Sequence, residues 1–173
     1  MSSGDPVDTM TRRTALVTGA FSLVGGYLLK HLLAQGDWDI VAISRRKPDV
    51  PGNYRHIAVD LLDRADCQHK LASLTNISHV FFVAFLERSD PGELVTANAA
   101  MLVNLVDTIE AASPVLEHVH LSEGTKWYGN HLGPFKTPAK EDDPRRLGFH
   151  DSVDTEEMFL RMFGEFRRDR VIP

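Results

Sequence analysis

Residues 16–29, LVTGAFSLVGGYLL, place an apolar run before a glycine and a second glycine near the start of another apolar run. This order is typical of a buried strand that turns into a helix. Gly19 lets the backbone bend at the strand end, and Gly25 lets the helix pack close to the strand. The N–H groups at the helix start can then face a pyrophosphate. The stretch predicts a dinucleotide-binding turn, with an ordinary strand-to-helix turn as the alternative.

Ser22 occupies the position where the dinucleotide fingerprint usually has its middle glycine. We expect Ser22 to cap the helix and to offer its hydroxyl to a phosphate, while its Cβ limits how closely the backbone can approach. The residues predicted to bind a cofactor in this turn are Thr18, Gly19, Phe21, Ser22, Leu23, Val24 and Gly25.

The composition of the 173-residue chain, with 43% hydrophobic and 25% charged residues, is typical of a globular protein with one sizeable core. Its net charge of -5 argues against a nucleic-acid partner. We find no apolar run near the ~20 residues that cross a bilayer, so we expect a cytoplasmic protein with no membrane partner. Cys67 is the only cysteine, and His118 and His120 lack a third ligand nearby, so no metal site is predicted.

Alternating apolar segments predict an α/β fold with a doubly wound parallel sheet, a Rossmann-type domain. The predicted strands cover residues 14–18, 39–44, 54–59, 80–85 and 116–121, with 80–85 as the central strand. The predicted helices cover 22–35, 64–74 and 92–112. We expect Leu28, Leu29, Leu32 and Leu33 to be buried. Residues 1–13 are interpreted as a loose leader, and 14–173 as one NADP-binding domain.

Ligands of such sheets bind beyond the carboxyl ends of the strands. The second predicted strand ends in Ser44, Arg45 and Arg46, where this fold contacts the adenosine ribose. Arginines there attract a 2′-phosphate, so the sequence predicts NADPH or NADP as the cofactor, and a solvated basic loop is the alternative. The other residues predicted to reach the cofactor follow later strands and are Asp60, Leu61, Ala84 and Ser122. Asn98 is interpreted either as support for a catalytic loop or as a structural amide.

Matching motifs occur in order between residue 14 and about residue 145: TGA with Gly25, SRRKP at 44–48, VDL at 59–61, VFFV at 80–83, Asn98 with Met101, Leu102 and Asn104, and GTKWYG at 124–129 with LGPF at 132–135. On these motifs the chain resembles the extended short-chain dehydrogenases/reductases, most closely the progesterone 5β-reductase and iridoid synthase-like branch. Members of that branch use NADPH to reduce a carbon–carbon double bond conjugated to a carbonyl. The resemblance implies an oxidoreductase acting on an enone or carbonyl of a small apolar metabolite, as in secondary metabolism.

The resemblance also implies roles for individual residues. Lys126 corresponds to the catalytic lysine of the branch, which holds the cofactor ribose and lowers the pKa of a tyrosine. Arg45 and Arg46 correspond to its clamp on the 2′-phosphate. The branch has its catalytic tyrosine in a Phe-Tyr-Tyr-Asp segment, whereas the matching position here falls on Ser152 or Val153. Tyr128 is then the remaining candidate acid.

Relatives in that branch continue through a substrate-binding half, so we expect this chain to represent the cofactor-binding half. Two alternatives stay open. The chain could be a dinucleotide-binding sensor or partner subunit without turnover, or the sequence after the matched region could differ from the natural one. An exposed edge beside the fifth strand would allow a homodimer.

Overall fold

The computed structural model describes residues 12–46 and 50–123. The strands are β1 (Arg13–Thr18), β2 (Trp38–Ser44), β3 (Arg55–Ala58), β4 (His79–Phe82) and β5 (His118–Leu121), and the helices are α1 (Leu23–Gln35), α2 (Arg64–Leu71) and α3 (Pro91–Ala112). The chain divides into two compact units, Met1–His120 and Leu121–Pro173, and nearly all of these elements belong to the first.

The five strands form one sheet in the order β3-β2-β1-β4-β5. β1 pairs in parallel with both β2 and β4, and β2 pairs in parallel with β3. The strand order reverses at β1, because the chain first builds outward to β3 and then returns to the other side of β1. This arrangement confirms the predicted doubly wound α/β fold and creates a topological switch point at β1.

β1 forms the centre of the sheet, and five of its six residues are buried. The apolar residues of α1 pack on one face of β1 and β2, in a cluster that includes Ala15, Val17, Leu29 and Leu32. Leu28 and Leu33 were predicted to be buried but are only partly so, because they pack against the margin of this cluster. α1 begins after the cap Ser22 and ends at Gln35, and the cap that follows, Gly36, has a φ of 74°.

β4 is shorter than predicted and ends at Phe82. The N–H groups of Val83 and Ala84 donate to the Thr18 hydroxyl, at 2.9 and 3.0 Å, so they leave the strand ladder. The Phe85 side chain is consequently outside the core and 60% exposed. β4 is an inner strand, but the central position belongs to β1.

β5 begins at His118, two residues later than predicted, because the N–H groups of Glu117 and His118 both donate to the carbonyl of Ser78. Along β5, His118 and His120 are exposed whereas Val119 and Leu121 are partly buried, which confirms the predicted alternation. β3 and α2 are also slightly shorter than predicted.

α3 is the one helix in the described ranges that is long and apolar enough, by length and composition, to cross a membrane. This finding corrects the expectation that no run of such length exists. The central turns of α3 are buried, and its polar side chains bond within the molecule: Asn104 Nδ2 donates to the Leu61 carbonyl at 2.9 Å, and the Thr108 hydroxyl to the Asn104 carbonyl at 2.7 Å. These contacts are those of a helix in the core of a globular domain.

Candidate functional site

The turn between β1 and α1 requires glycine at two positions. Gly19 has a φ of 58°, and a Cβ there would lie 3.0 Å from the nitrogen of Ala84. A Cβ on Gly25 would lie 2.1 Å from the carbonyl oxygen of Gly19, a distance that no side chain tolerates. The two glycines therefore let α1 begin directly against the end of β1, as the sequence predicts.

Ser22 lies between these glycines as the cap of α1. Its φ is -75°, so it needs no left-handed backbone, and its hydroxyl accepts the N–H of Gly25 at 3.2 Å. The predicted capping role is confirmed. The N–H of Ser22 donates to the Gly19 carbonyl at 2.9 Å, and this bond closes the turn.

The next two residues, Leu23 and Val24, open α1. Among the described residues, nothing accepts a hydrogen bond from either N–H group. Their side chains are 79% and 56% exposed. The start of α1 thus offers two unpaired donors at the positive end of a helix, an arrangement suited to an anionic ligand.

Thr18 joins the ends of β1 and β4. Its side chain is fully buried, and its hydroxyl oxygen accepts the N–H groups of Val83 and Ala84. Thr18, Gly19 and Ala84, all predicted to bind a cofactor, therefore do lie together. These two hydrogen bonds show that Thr18 also shapes the site. The sequence could not predict this role, because it depends on β4 being the neighbour of β1.

Two arginines follow β2 at the same edge of the sheet. Arg45 and Arg46 are exposed, and neither takes part in the ion pairs found within the described ranges. The Ser44 hydroxyl donates to the carbonyl of Arg46 at 2.5 Å and lies 3.0 Å from Nε2 of His56. The two guanidinium groups are thus available to an anion beside the glycine turn.

Phe21 connects the glycine turn to β3. Its ring centroid is 5.9 Å from that of Tyr54 and 5.8 Å from that of His56. His56 contacts Ser44 as well, so it touches residues from both neighbouring turns. Sequence reasoning missed His56, because only the pairing of β2 with β3 reveals that it faces Ser44.

Asp60 and Leu61 follow β3. The Asp60 carboxylate accepts the N–H of Leu62 at 3.0 Å, and the Asp60 N–H donates to Asp66 at 2.9 Å. The Leu61 side chain is 7% exposed and part of the core. A contact of either residue with a cofactor stays a prediction, and the bonds seen for both stabilise the bend after β3.

Two titrating groups lie on α2, beneath this bend. The bond from Lys70 lowers the pKa of Asp66. Burial raises the pKa of the Cys67 thiol to about 11, so this thiol stays protonated and unreactive at neutral pH. These residues therefore serve the packing of α2.

The segment after β4 is held to α3 by Asn98. Its Oδ1 accepts the N–H of Leu86 at 2.9 Å, and its Nδ2 donates to the carbonyls of Leu86 and Leu94, both at 2.8 Å. Asn98 is thus a structural amide, one of the two interpretations of the sequence. Its support of a catalytic loop stays a prediction.

The remaining predicted site residues lie later in the chain. Ser122 comes directly after β5, in the second compact unit. Lys126 and Tyr128 lie outside the described residues, so their catalytic roles stay predictions. In the described ranges, no three His, Cys, Asp or Glu side chains are grouped so that they could hold a metal ion.

Comparison with known proteins defines the family. Residues 15–147 match the sequence model of the NAD dependent epimerase/dehydratase family, which is more than half of the chain. The chain belongs to this family, and its sheet has the doubly wound strand order of the Rossmann-type fold. Together with the relatives described next, this match confirms the resemblance drawn from the motifs.

Curated relatives include reductases of the expected branch. The chain is 36% identical over 153 residues to "3-oxo-Delta(4,5)-steroid 5-beta-reductase" of Arabidopsis thaliana, covering 83% of this chain and 36% of the relative. It is 31% identical over 157 residues to "Short chain dehydrogenase gsfE" of Penicillium aethiopicum, covering 84% and 41%. It is 32% identical over 148 residues to an "(S)-8-oxocitronellyl enol synthase" of Nepeta cataria, covering 76% and 37%. The chain thus spans about two fifths of the length of these relatives.

Solved structures share the fold. A short-chain dehydrogenase/reductase superfamily protein from Agrobacterium tumefaciens with bound NAD has a TM-score of 0.60 at 18% identity, covering 88% of this chain and 43% of that one. WbmG of Bordetella bronchiseptica in complex with NAD has 0.60 at 20% identity, covering 80% and 45%. MoeE5 in complex with UDP-glucose and NAD has 0.55 at 30% identity, covering 77% and 42%.

Proposed function

We propose that this chain binds NADPH along the carboxyl edge of its sheet and belongs to a reductase that acts on an enone or carbonyl of a small apolar metabolite. The observation that carries the proposal is the pair Arg45 and Arg46, exposed and outside the ion pairs of the described ranges, beside the glycine turn. The names of the Arabidopsis and Nepeta relatives support the reaction class.

The described residues fit a dinucleotide. Gly19 and Gly25 leave the turn without side chains, and the N–H groups of Leu23 and Val24 are suited to the pyrophosphate. Preference for a 2′-phosphate follows from charge, because guanidinium groups bind phosphate by charge-assisted hydrogen bonds. An acidic side chain after β2, which would favour a free ribose hydroxyl, is not found at positions 44–46.

The cofactor, when bound, supplies a hydride from its nicotinamide. In the proposed reaction Lys126 holds the cofactor ribose, as the family resemblance implies. Tyr128, two residues later in the sequence, takes the place of the missing family tyrosine and donates a proton or a hydrogen bond to the substrate oxygen. Stabilisation of the developing enolate oxygen is the main demand on the protein in such a reduction.

The small apolar molecule that would accept the hydride is the partner proposed here. The net charge of -5 supports the proposal that nucleic acid is not a partner. We also propose that no membrane is a partner and that the protein is cytoplasmic. The burial of the apolar α3 in the domain core supports the same view. Pairing of two copies into a homodimer is a further proposal.

A second candidate function is dinucleotide binding without turnover. The observation that favours it is Ser152 or Val153 at the position where the related branch has its catalytic tyrosine. Loss of a positioned acid lowers a rate by roughly 10²–10⁴-fold. A sensor or partner subunit would keep the cofactor site and lose the reaction.

Substrate-dependent oxidation of NADPH distinguishes the two candidates. We expect slow turnover with a panel of enones, abolished by Lys126→Ala and reduced by Tyr128→Phe, while Lys30→Ala on the exposed side of α1 leaves the rate unchanged. The same preparations are titrated with NADPH. Binding without turnover in any preparation would establish the second candidate, and failure of the wild-type chain to bind NADPH would contradict both.

A further inference from the structure

The Ser44 hydroxyl is hydrogen-bonded both to His56 and to the turn that carries the two arginines, and the donor of each bond can be assigned. Its hydroxyl donates to the carbonyl of Arg46 at 2.5 Å, and Nε2 of His56 lies 3.0 Å from the same oxygen. A carbonyl only accepts and a hydroxyl has one proton, so His56 must donate its Nε2 proton to Ser44. The order of donation is therefore His56 to Ser44 to Arg46.

The sheet fixes the two side chains that begin this chain of bonds. β2 and β3 run in parallel, with Ala42 opposite His56 and Ser44 opposite Ala58. Ser44 and His56 are thus diagonal neighbours on one face of the sheet. The Ser44 carbonyl accepts the N–H of Val59 at 3.0 Å, so the main chain of Ser44 is also held in place.

The ring of His56 also contacts the glycine turn. Its centroid lies 5.8 Å from that of Phe21, which follows Gly19 by two residues. Phe21 in turn packs against Tyr54 at 5.9 Å. His56 therefore links the turn proposed to hold the pyrophosphate with the turn proposed to hold the 2′-phosphate.

We propose that Ser44 and His56 are positioning residues that set the preference for a 2′-phosphate. The bond from Ser44 to Arg46 closes the backbone around Arg45, so both arginines start from a fixed turn. A turn that is already ordered pays less entropy on binding than a free one. Ser44 then acts on the cofactor through Arg46. This inference rests on the proposed NADPH binding.

The ratio of NADPH to NADH affinity tests this inference, because the two cofactors differ only in the 2′-phosphate. Both are titrated into the full chain as wild type, Ser44→Ala, His56→Leu and His56→Gln. We expect Ser44→Ala and His56→Leu each to lower the ratio about three- to tenfold, the range of one hydrogen bond, with NADH affinity unchanged. His56→Gln retains an N–H donor and keeps most of the preference.

Coupling between the two residues provides a second readout. If both act through one chain of bonds, the double variant Ser44→Ala with His56→Leu lowers the ratio no further than Ser44→Ala alone. Ser113→Ala is the matched control, since the Ser113 hydroxyl also donates to a carbonyl, that of Ile77 at 2.8 Å, before β4. We expect Ser113→Ala to lower the stability of the domain and to leave the ratio of NADPH to NADH affinity unchanged.

The arginine variants separate failure of this inference from failure of the proposed function. Loss of the preference in Arg45→Ala with Arg46→Ala, but a wild-type ratio in Ser44→Ala and His56→Leu, overturns the positioning role alone. A preserved preference in the double arginine variant overturns the NADPH proposal itself. Equal weakening of NADPH and NADH in Ser44→Ala assigns that residue a purely structural role and also overturns the inference.

Discussion

The carbonyl oxygen of Gly19 lies 2.1 Å from where a Cβ of Gly25 would be. This contact joins the end of β1 to the first turn of α1, so the helix can start at the sheet edge only if residue 25 has no side chain. The unpaired N–H groups of Leu23 and Val24 owe their position to that close approach. The glycine is thus needed for both the fold and the candidate site.

Gly25→Ala is expected to destabilise the domain by about 1–3 kcal/mol or more, because backbone atoms cannot yield to the added methyl group. Gly26→Ala is the matched control in the same helix. Its added Cβ would meet only the Ala20 carbonyl at 3.9 Å, and alanine is the better helix former by about 1 kcal/mol. Urea unfolding of both variants measures the difference, and equal midpoints would contradict the packing argument.

Gly19→Val is expected to abolish NADPH binding, because residue 19 has a φ of 58° and no space beside Ala84. Ser22→Gly is expected to bind NADPH as tightly as the wild type or more tightly, at a cost of only a few tenths of a kcal/mol for the changed helix cap. Fluorescence titration of variants shown to be folded by circular dichroism checks both. Normal binding by Gly19→Val would mean that the turn is only structural.

Asn104→Ala is expected to destabilise the domain by about 1–3 kcal/mol, since the buried Leu61 carbonyl would lose its donor at 2.9 Å. Asn53→Ala removes the same amide from an exposed loop and serves as the control. The measurement is the free energy of unfolding in urea. Comparable values for the two variants would show that the bond from α3 contributes little.

Stability should fall between neutral pH and about pH 5.5, because burial lowers the pKa of the partly buried His79 below the ordinary 6.5. The side chain of His120 is more exposed, and the desolvation of its remaining part lowers its pKa in the same direction. The unfolded chain then binds more protons than the folded one in this window, so protonation favours unfolding, and the stability is fully present above the unfolded pKa. Glu117, His118 and Arg13 also act on His79, and Glu117 opposes the shift.

Unfolding in urea at about pH 7.5 and about pH 5.5 checks this prediction. We expect His79→Gln and His120→Gln each to reduce the loss of stability between the two pH values. An identical loss in the wild type and in both variants would assign the pH dependence to other groups.

The sequence predicted the elements well where the pattern was local. The glycine turn and the cap Ser22 were found because both act on residues that are close by in the chain. The end of β4 was wrong, since the Thr18 hydroxyl that removes Val83 from the ladder lies 65 positions earlier. Such a bond depends on strand order, which periodicity does not encode.

The same distinction between local pattern and strand order applies to the candidate site. Arg45 and Arg46 were identified from their place after the second strand, a rule of the fold. The role of His56 was missed because it depends on the register of β2 against β3. The roles of Lys126 and Tyr128 stay predictions, since they lie outside the described residues.

The central claim is that Arg45 and Arg46 bind a 2′-phosphate, and equilibrium titration with NADPH and NADH tests it most directly. We predict that NADPH binds more tightly than NADH and that this preference weakens as the salt concentration rises. At low salt, Arg45→Ala and Arg46→Ala should each lower the affinity for NADPH about tenfold. Arg55→Ala is the control and should leave the preference intact, because Arg55 lies at the start of β3, whereas Arg45 and Arg46 follow the end of the parallel strand β2. Equal affinity of the wild type for the two cofactors, or an unchanged preference in the double arginine variant, would contradict the account.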